Sequence, residues 1–170
     1  MGAEVDSYRF TSRVTERIAR AWITRETDPT RPFPWTPFTK PLSESTIALI
    51  SSAGVALKGD RPFDQAGERR NPWRGDSSFR VVNREATTGD VTITHLHINP
   101  RYAGQDLNVL FPLERLAELA TRGEIGRAAD AHYSIMGYIL DAADLLRDTV
   151  PQIVAGLRAG QVDGVVLVPA

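Results

Sequence analysis

At 170 residues, with a formal net charge of −1 and a pI near 6.3, the chain has room for one domain with a real core and lacks the basic surplus of a nucleic-acid binder. Cysteine is absent, which excludes disulfides, thiol nucleophiles and thiolate metal ligands from this sequence. No apolar run reaches membrane-spanning length and the N-terminus lacks the apolar core of a signal peptide, so a soluble cytoplasmic protein without membrane or nucleic-acid partners is expected.

Phe10, Val14, Ile18, Ala21 and Trp22 recur at helical spacing, which predicts an amphipathic helix over 6–24. Residues 28–41 carry five prolines with Phe33, Trp35 and Phe38 between them. Missing backbone donors make this an extended connector whose aromatics lie on the domain or on a partner. These segments form an N-terminal arm, 1–43, ahead of a domain over 44–170. Thr46 to Ile50 is a short apolar run entering the small-residue turn Ser51-Ser52-Ala53-Gly54, as a buried strand would.

Residues 58–78 read as a long polar loop. Strands follow over 79–83 and 90–98. Phe111-Pro112 opens a helix with Leu113, Leu116, Ala117 and Ala120 as its buried stripe, Glu118 placed to pair with Arg122, and Gly123 at its end. His132 to Tyr138 predicts another strand, 141–159 one or two helices broken near Pro151, and Val165 to Val168 a last buried strand. Strands alternating with helices indicate an α/β fold: three layers, a mostly parallel sheet, helices on both faces. In such sheets ligands sit beyond the carboxyl ends of the strands, so Pro169-Ala170 is expected near the site.

Two of the three histidines, His95 and His97, lie at i and i+2 at the end of an alternating run. In a strand they would share one face, where near-neutral imidazoles suit metal binding or proton transfer. The third is His132.

Several stretches occur together in order: Ile50 to Val55, Asp60 to Asp64, Gly75 to Arg80, Thr94 to His97, Asp106 to Pro112, His132 to Tyr138, and Val162 to Pro169. Over roughly 44–170 this set resembles the selenoprotein B subunit family of glycine, sarcosine and betaine reductases, with the related D-proline reductase subunit. The resemblance implies reductive cleavage of a C–N bond in a small amino acid or its N-methylated relative. It also implies a selenocysteine or cysteine shortly after the final strand. This sequence stops before that position and holds no Cys elsewhere, so fold and pocket are expected to carry over better than the redox step.

The candidate residues have sharp and plain readings. His95, His97 and His132, with Asp106 as a further ligand or an orienting partner, would suit a divalent transition ion such as Zn²⁺ or Fe²⁺; without metal the imidazoles would serve as general acid and base. The plain reading makes one a structural residue and another a strand-end cap. Residues 58–84 carry an excess of three positive charges, so Arg80 first and Arg101 second are candidates for holding a substrate carboxylate or phosphate, against a loop whose charges pair locally. Ser51, Ser52 and Gly54 offer a turn whose backbone donors could cradle an anion, yet no pattern for a nucleotide cofactor occurs. Ser77 and Ser78 would be substrate-binding or nucleophilic only beside a base; turn formation is the plainer role.

The reading that follows is a selenoprotein B-like, reductase-related enzyme lacking the redox Cys, acting on a small amino-acid-derived or carboxylate substrate through a histidine-based, possible metal site. Any electrons would come from a redox partner's thiol or a bound cofactor. The alternative is a non-catalytic subunit docking onto a Cys-bearing partner. A homodimer is the default for the oligomeric state.

Overall fold

The computed structural model describes residues 12–26, 30, 36–71 and 73–170. They fall into two compact units, within 1–37 and 38–170. In the first, α1 (Arg13–Glu26) is an amphipathic helix. The Ser12 hydroxyl caps the Thr15 amide at 3.1 Å and Glu16 pairs with Arg20 one turn on. Phe33 and Trp35 of the aromatic connector, and the part of the expected helix before residue 12, lie outside the described residues.

The second unit is an α/β domain built on β1 (Thr46–Ser51). Every residue of this strand but Ile50 is buried, as an inner strand of a parallel sheet requires. A strand has two edges. β7 (Gly164–Val168) takes one in parallel along Ile47 to Ser51, while β5 (Arg127–Ala128) and β6 (Ala131–Ile135) share the other, also in parallel. β3 (Phe79–Asn83) closes the far side, antiparallel to β6. Asp163 fixes the start of both β1 and β7: its carboxylate accepts the Thr46 amide at 2.8 Å and Lys40 at 2.7 Å. The Phe38 ring lies against Gly164, so this connector aromatic covers its own domain.

Helices cover both faces. Ile47 and Leu49 point toward α4 (Leu113–Thr121), where they form one core with Phe111, Leu113 and Leu116. Phe111 is wholly buried, a transfer gain of about 1.5–3 kcal/mol. On the opposite face α5 (Val150–Ala159) lies on Tyr133, with Gly156 against the phenol oxygen. Ahead of α5, residues Leu145–Thr149 form a π turn rather than a break. Pro151 has no amide hydrogen and its ring crowds the carbonyl four residues back, so the preceding turn widens to i→i+5, with the Val150 amide on the Leu145 carbonyl. Gly123, at φ +70°, ends the α4 region as expected. Arg122, however, pairs with Glu124, and Glu118 with Arg115.

Three expectations fail. β7, expected as a buried strand, leaves Val165, Val166 and Leu167 exposed, because it pairs with β1 along its length while no element among the described residues covers their side chains. The strand expected over 90–98 is only β4 (Val91–Ile93), paired antiparallel with β2 (Val55–Leu57) in a separate two-stranded sheet. Gly54, at φ +64°, turns the partner strand away, so the ladder stops once the Thr94 amide has reached the Gly54 carbonyl. The chain then turns into α3 (Pro100–Ala103), capped by Asn99 with Pro100 in its first turn. The loop over 58–78 likewise contains a helix, α2 (Gln65–Arg70), whose N-cap Asp64 accepts the Gly67 amide at 2.8 Å.

Candidate functional site

Three loops meet beyond the carboxyl ends of β1 and β6: the turn at Gly54, the segment Thr94–His97 after β4, and Met136–Tyr138 after β6. A Cβ on Gly54 would overlap the Thr94 carbonyl and come within 2.7 Å of Met136 Sδ, so only glycine lets these loops close together. α2 packs here and carries Glu68, a carboxylate only 1% exposed.

Glu68 Oε1 lies 3.1 Å from His97 Nε2. The His97 ring lies against Tyr138, tilted by 36° with centroids 4.0 Å apart, and meets His95 edge-on at 5.9 Å. His97 is 46% exposed at its side chain, whereas His95 is buried at 8%. His95 Nδ1 accepts the His97 backbone amide at 3.1 Å. Two buried atoms in this cluster lack partners: Glu68 Oε2 and His95 Nε2. Burial holds the His95 pKa below its ordinary value, with His97 adding to the depression and the Glu68 carboxylate opposing it. His95 is therefore neutral near pH 7, and His97 is the solvent-facing member.

The pairing of His95 with His97 does not arise from a shared strand face. Both sit past the end of β4, and a turn brings the rings together. Glu68 was not legible as a site residue, because its signal is burial against a distant loop. Its only local trace is Asp64 followed by the helix-compatible run Gln65 to Arg70.

The other expected ligands stand elsewhere. His132 is fully buried on the α4 side of β6, edge-on to Phe111, with its Nδ1 accepting the Leu49 amide at 2.9 Å. Burial pushes its pKa down to about 4, against weaker upward pulls from the Ala129 carbonyl and the Asp130 and Glu85 carboxylates. Asp106 caps the short 3-10 turn Leu107–Val109 through Asn108, whose side chain in turn accepts the Glu114 amide at the start of α4. The Asn108 side chain, then its backbone amide, keep the Asp106 carboxyl below the usual range. The expected set of His95, His97, His132 and Asp106 is thus not assembled, and no trio of His, Asp or Glu among the described residues is arranged to hold a metal ion. The donor set does not fit Zn²⁺ or Fe²⁺: His132 Nδ1 and His95 Nδ1 already accept backbone amides.

Arg80 is engaged rather than waiting for a substrate. It donates to the Arg61 carbonyl at 2.6 Å, the Pro62 carbonyl at 3.2 Å, the Phe79 carbonyl at 2.7 Å and Ser78 Oγ at 2.9 Å, and it lies 4.2 Å over the Phe63 ring. Ser78 in turn donates to Asp76, whose other oxygen accepts the Asp64 amide at the N-cap of α2. Burial raises the Asp76 pKa, but bonds from Ser78 and Asp64, with the nearby Arg80 charge, outweigh it and leave the carboxyl below its ordinary value. The segments Asp60–Asp64 and Gly75–Arg80 are therefore two halves of one clamp, and what the clamp holds is the helix carrying Glu68. The Ser77 carbonyl accepts from Thr149. Arg101 is exposed on α3.

The anion cradle is likewise closed. The amides of Ser52, Ala53 and Gly54 bond to the Val168 carbonyl, Ser51 Oγ and the Ile135 carbonyl. Ser51 is buried and donates to the Leu110 carbonyl, while Ser52 Oγ accepts the Ala170 amide at 2.9 Å. Ala170 thus lies beside the turn after β1, as expected from the sheet.

With this geometry in view, similarity to known proteins becomes informative. Residues 28–170 match the model of the family described as glycine/sarcosine/betaine reductase selenoprotein B. The D-proline reductase subunit gamma of Acetoanaerobium sticklandii is 34% identical over 138 residues, covering 81% of this chain and 54% of that protein. The glycine reductase complex component B subunit gamma of Carboxydothermus hydrogenoformans is 32% identical over 142 residues, covering 79% of this chain and 30% of the relative. The betaine reductase complex component B subunit beta of Peptoclostridium acidaminophilum is 31% identical over 129 residues, covering 75% and 28%. No solved structure matches. The chain belongs to the glycine/sarcosine/betaine reductase selenoprotein B family. It spans about half the length of the first of these relatives and under a third of the other two. Among the described residues no helix is long and apolar enough to cross a membrane.

Proposed function

We propose that this chain is an oxidoreductase-family domain that binds a small amino-acid-derived or carboxylate-bearing substrate and manages its protons through His97, backed by His95 and Glu68. The observation that carries this reading is the cluster itself: a buried carboxylate and two imidazoles meeting at the carboxyl ends of the central parallel strands, where α/β folds bind ligands. Relatives named as reductase subunits of glycine, betaine and D-proline support a substrate of that size. Cleaving a C–N bond reductively requires two electrons and a proton for the carbon, with a further proton where the amine departs as an ammonium ion. The imidazoles can handle the proton. The electrons would come from a thiol or selenol on a partner protein.

The test is direct binding. Glycine, sarcosine, betaine and D-proline are titrated against the protein while the His97 and Tyr138 resonances are followed by NMR. Saturable shifts with one of them, weakened at least tenfold in His97→Gln, are expected. No shift with any of the four would sink the reading.

A second reading has its own observation. Val165, Val166 and Leu167 of β7 are exposed, Leu167 at 71%, although the strand pairs along its whole length with β1. A non-catalytic subunit docking onto a Cys-bearing partner would use such a surface. A stable hetero-complex that is lost in Leu167→Lys, with no small-molecule binding, would favour this role; a homodimer without either property would favour neither.

A further inference from the structure

The hydrogen bonds of this cluster determine where the imidazole protons sit. A backbone amide can only donate, so His95 Nδ1, accepting the His97 amide, carries a lone pair and the proton is on Nε2. A carboxylate can only accept, so His97 must donate from Nε2 to Glu68 Oε1. That leaves Nδ1 as the lone pair of His97, on the half-exposed ring. The two partnerless atoms are complementary in the same sense: His95 Nε2 has a proton to give and Glu68 Oε2 can only receive. An unpaired buried carboxylate oxygen is costly.

From this we infer that Glu68 is a positioning residue that fixes the tautomer of His97 and makes His97 Nδ1 the one free imidazole acceptor of the site. The inference rests on the functional reading above for its ligand but not for its geometry. A carboxylate behind a histidine holds the ring in one tautomer and stabilises the imidazolium once it forms. Here the helix that carries the carboxylate is itself held at its N-terminus by the clamp of Arg80, Ser78, Asp76 and Asp64. The Tyr138 ring packs against the imidazole from the side. A site with one outward lone pair takes a group that donates a hydrogen bond, such as the N–H of an amine.

Long-range ¹H–¹⁵N NMR of uniformly labelled protein above neutral pH tests this, since protonated and lone-pair imidazole nitrogens resonate far apart. The wild type is expected to show His97 as a single tautomer with the proton on Nε2, and Glu68→Gln to convert it to a mixture, because an amide can donate or accept. Sarcosine, which carries N–H, is expected to perturb the Nδ1 signal, and betaine, which has none, is not. A wild-type His97 protonated on Nδ1 overturns the inference, as does an unchanged tautomer in Glu68→Gln. If that variant does not fold, the wild-type spectrum decides alone. The expected tautomer with no response to either probe would keep the positioning role and refute the ligand reading instead.

Discussion

His132 gives the clearest quantitative expectation. It is wholly buried between Phe111 and the Leu49 amide, and its Nδ1 must stay unprotonated to accept that amide. Its folded pKa of about 4 stands against about 6.5 when the chain is unfolded. The folded state therefore binds the proton more weakly than the unfolded state. Stability from the neutral ring is complete above pH 6.5, is lost as pH falls from there to about 4, and levels off below. The difference of some two and a half pH units corresponds to about 3 kcal/mol. Other groups titrate in the same window, His95 with the same sign, so the informative quantity is the difference from His132→Asn. Asparagine can present Oδ1 to the Leu49 amide but has nothing to titrate. The variant is less stable at pH 7.5 because the ring's packing on Phe111 is lost. Urea unfolding at intervals from pH 7.5 to 4 is expected to show the wild type losing about 3 kcal/mol more than His132→Asn. Parallel pH profiles for the two proteins would refute the assignment of His132 as a neutral core acceptor.

Three further outcomes follow from contacts around the site. Gly54→Ala combines a positive φ with overlap on the Thr94 carbonyl and Met136, so a loss of about 3 kcal/mol is expected in urea unfolding; a near-neutral effect would mean that the three loops are not packed as described. Arg80→Lys puts one ammonium where a guanidinium reaches four acceptors and covers Phe63. About 1–2 kcal/mol should be lost, and the His97 resonances should move although residue 80 does not touch that ring. Gly156→Ala, in the interior of α5, would ordinarily gain up to about 1 kcal/mol in helix propensity. Here its Cβ runs into the Tyr133 hydroxyl, so thermal unfolding should show a loss instead, and a stabilised variant would show that α5 does not lie on that ring.

What the sequence revealed and what it hid have separate physical causes. β1, β6, α4 and the parallel α/β plan were legible because burial on both strand faces and a helical apolar stripe are written in local periodicity; β7 was legible as a strand from its apolar run, but its burial was not, since Val165 to Leu167 are exposed. The short α2 was not, because six residues of Gln65 to Arg70 carry too little pattern, and Glu68 is distinguished by its surroundings alone. Arg80 shows the converse error: a cation in a polar segment looks like an anion site, since the backbone carbonyls that engage it are invisible until Arg61 and Pro62 fold back over β3.

The histidines combine both lessons. Alternation through Val91, Ile93 and His95 suggests one continuous strand, but a strand lasts only as long as its partner, and Gly54 ends the partner first. The rings then converge through a turn instead of a pleat, which places the His97 amide under His95 Nδ1 and turns His97 Nε2 toward Glu68. A metal site needs several lone pairs aimed at one point. This turn engages all but one of the lone pairs on the two rings with hydrogen bonds or protons, and the chemistry left to the cluster is that of a single oriented base.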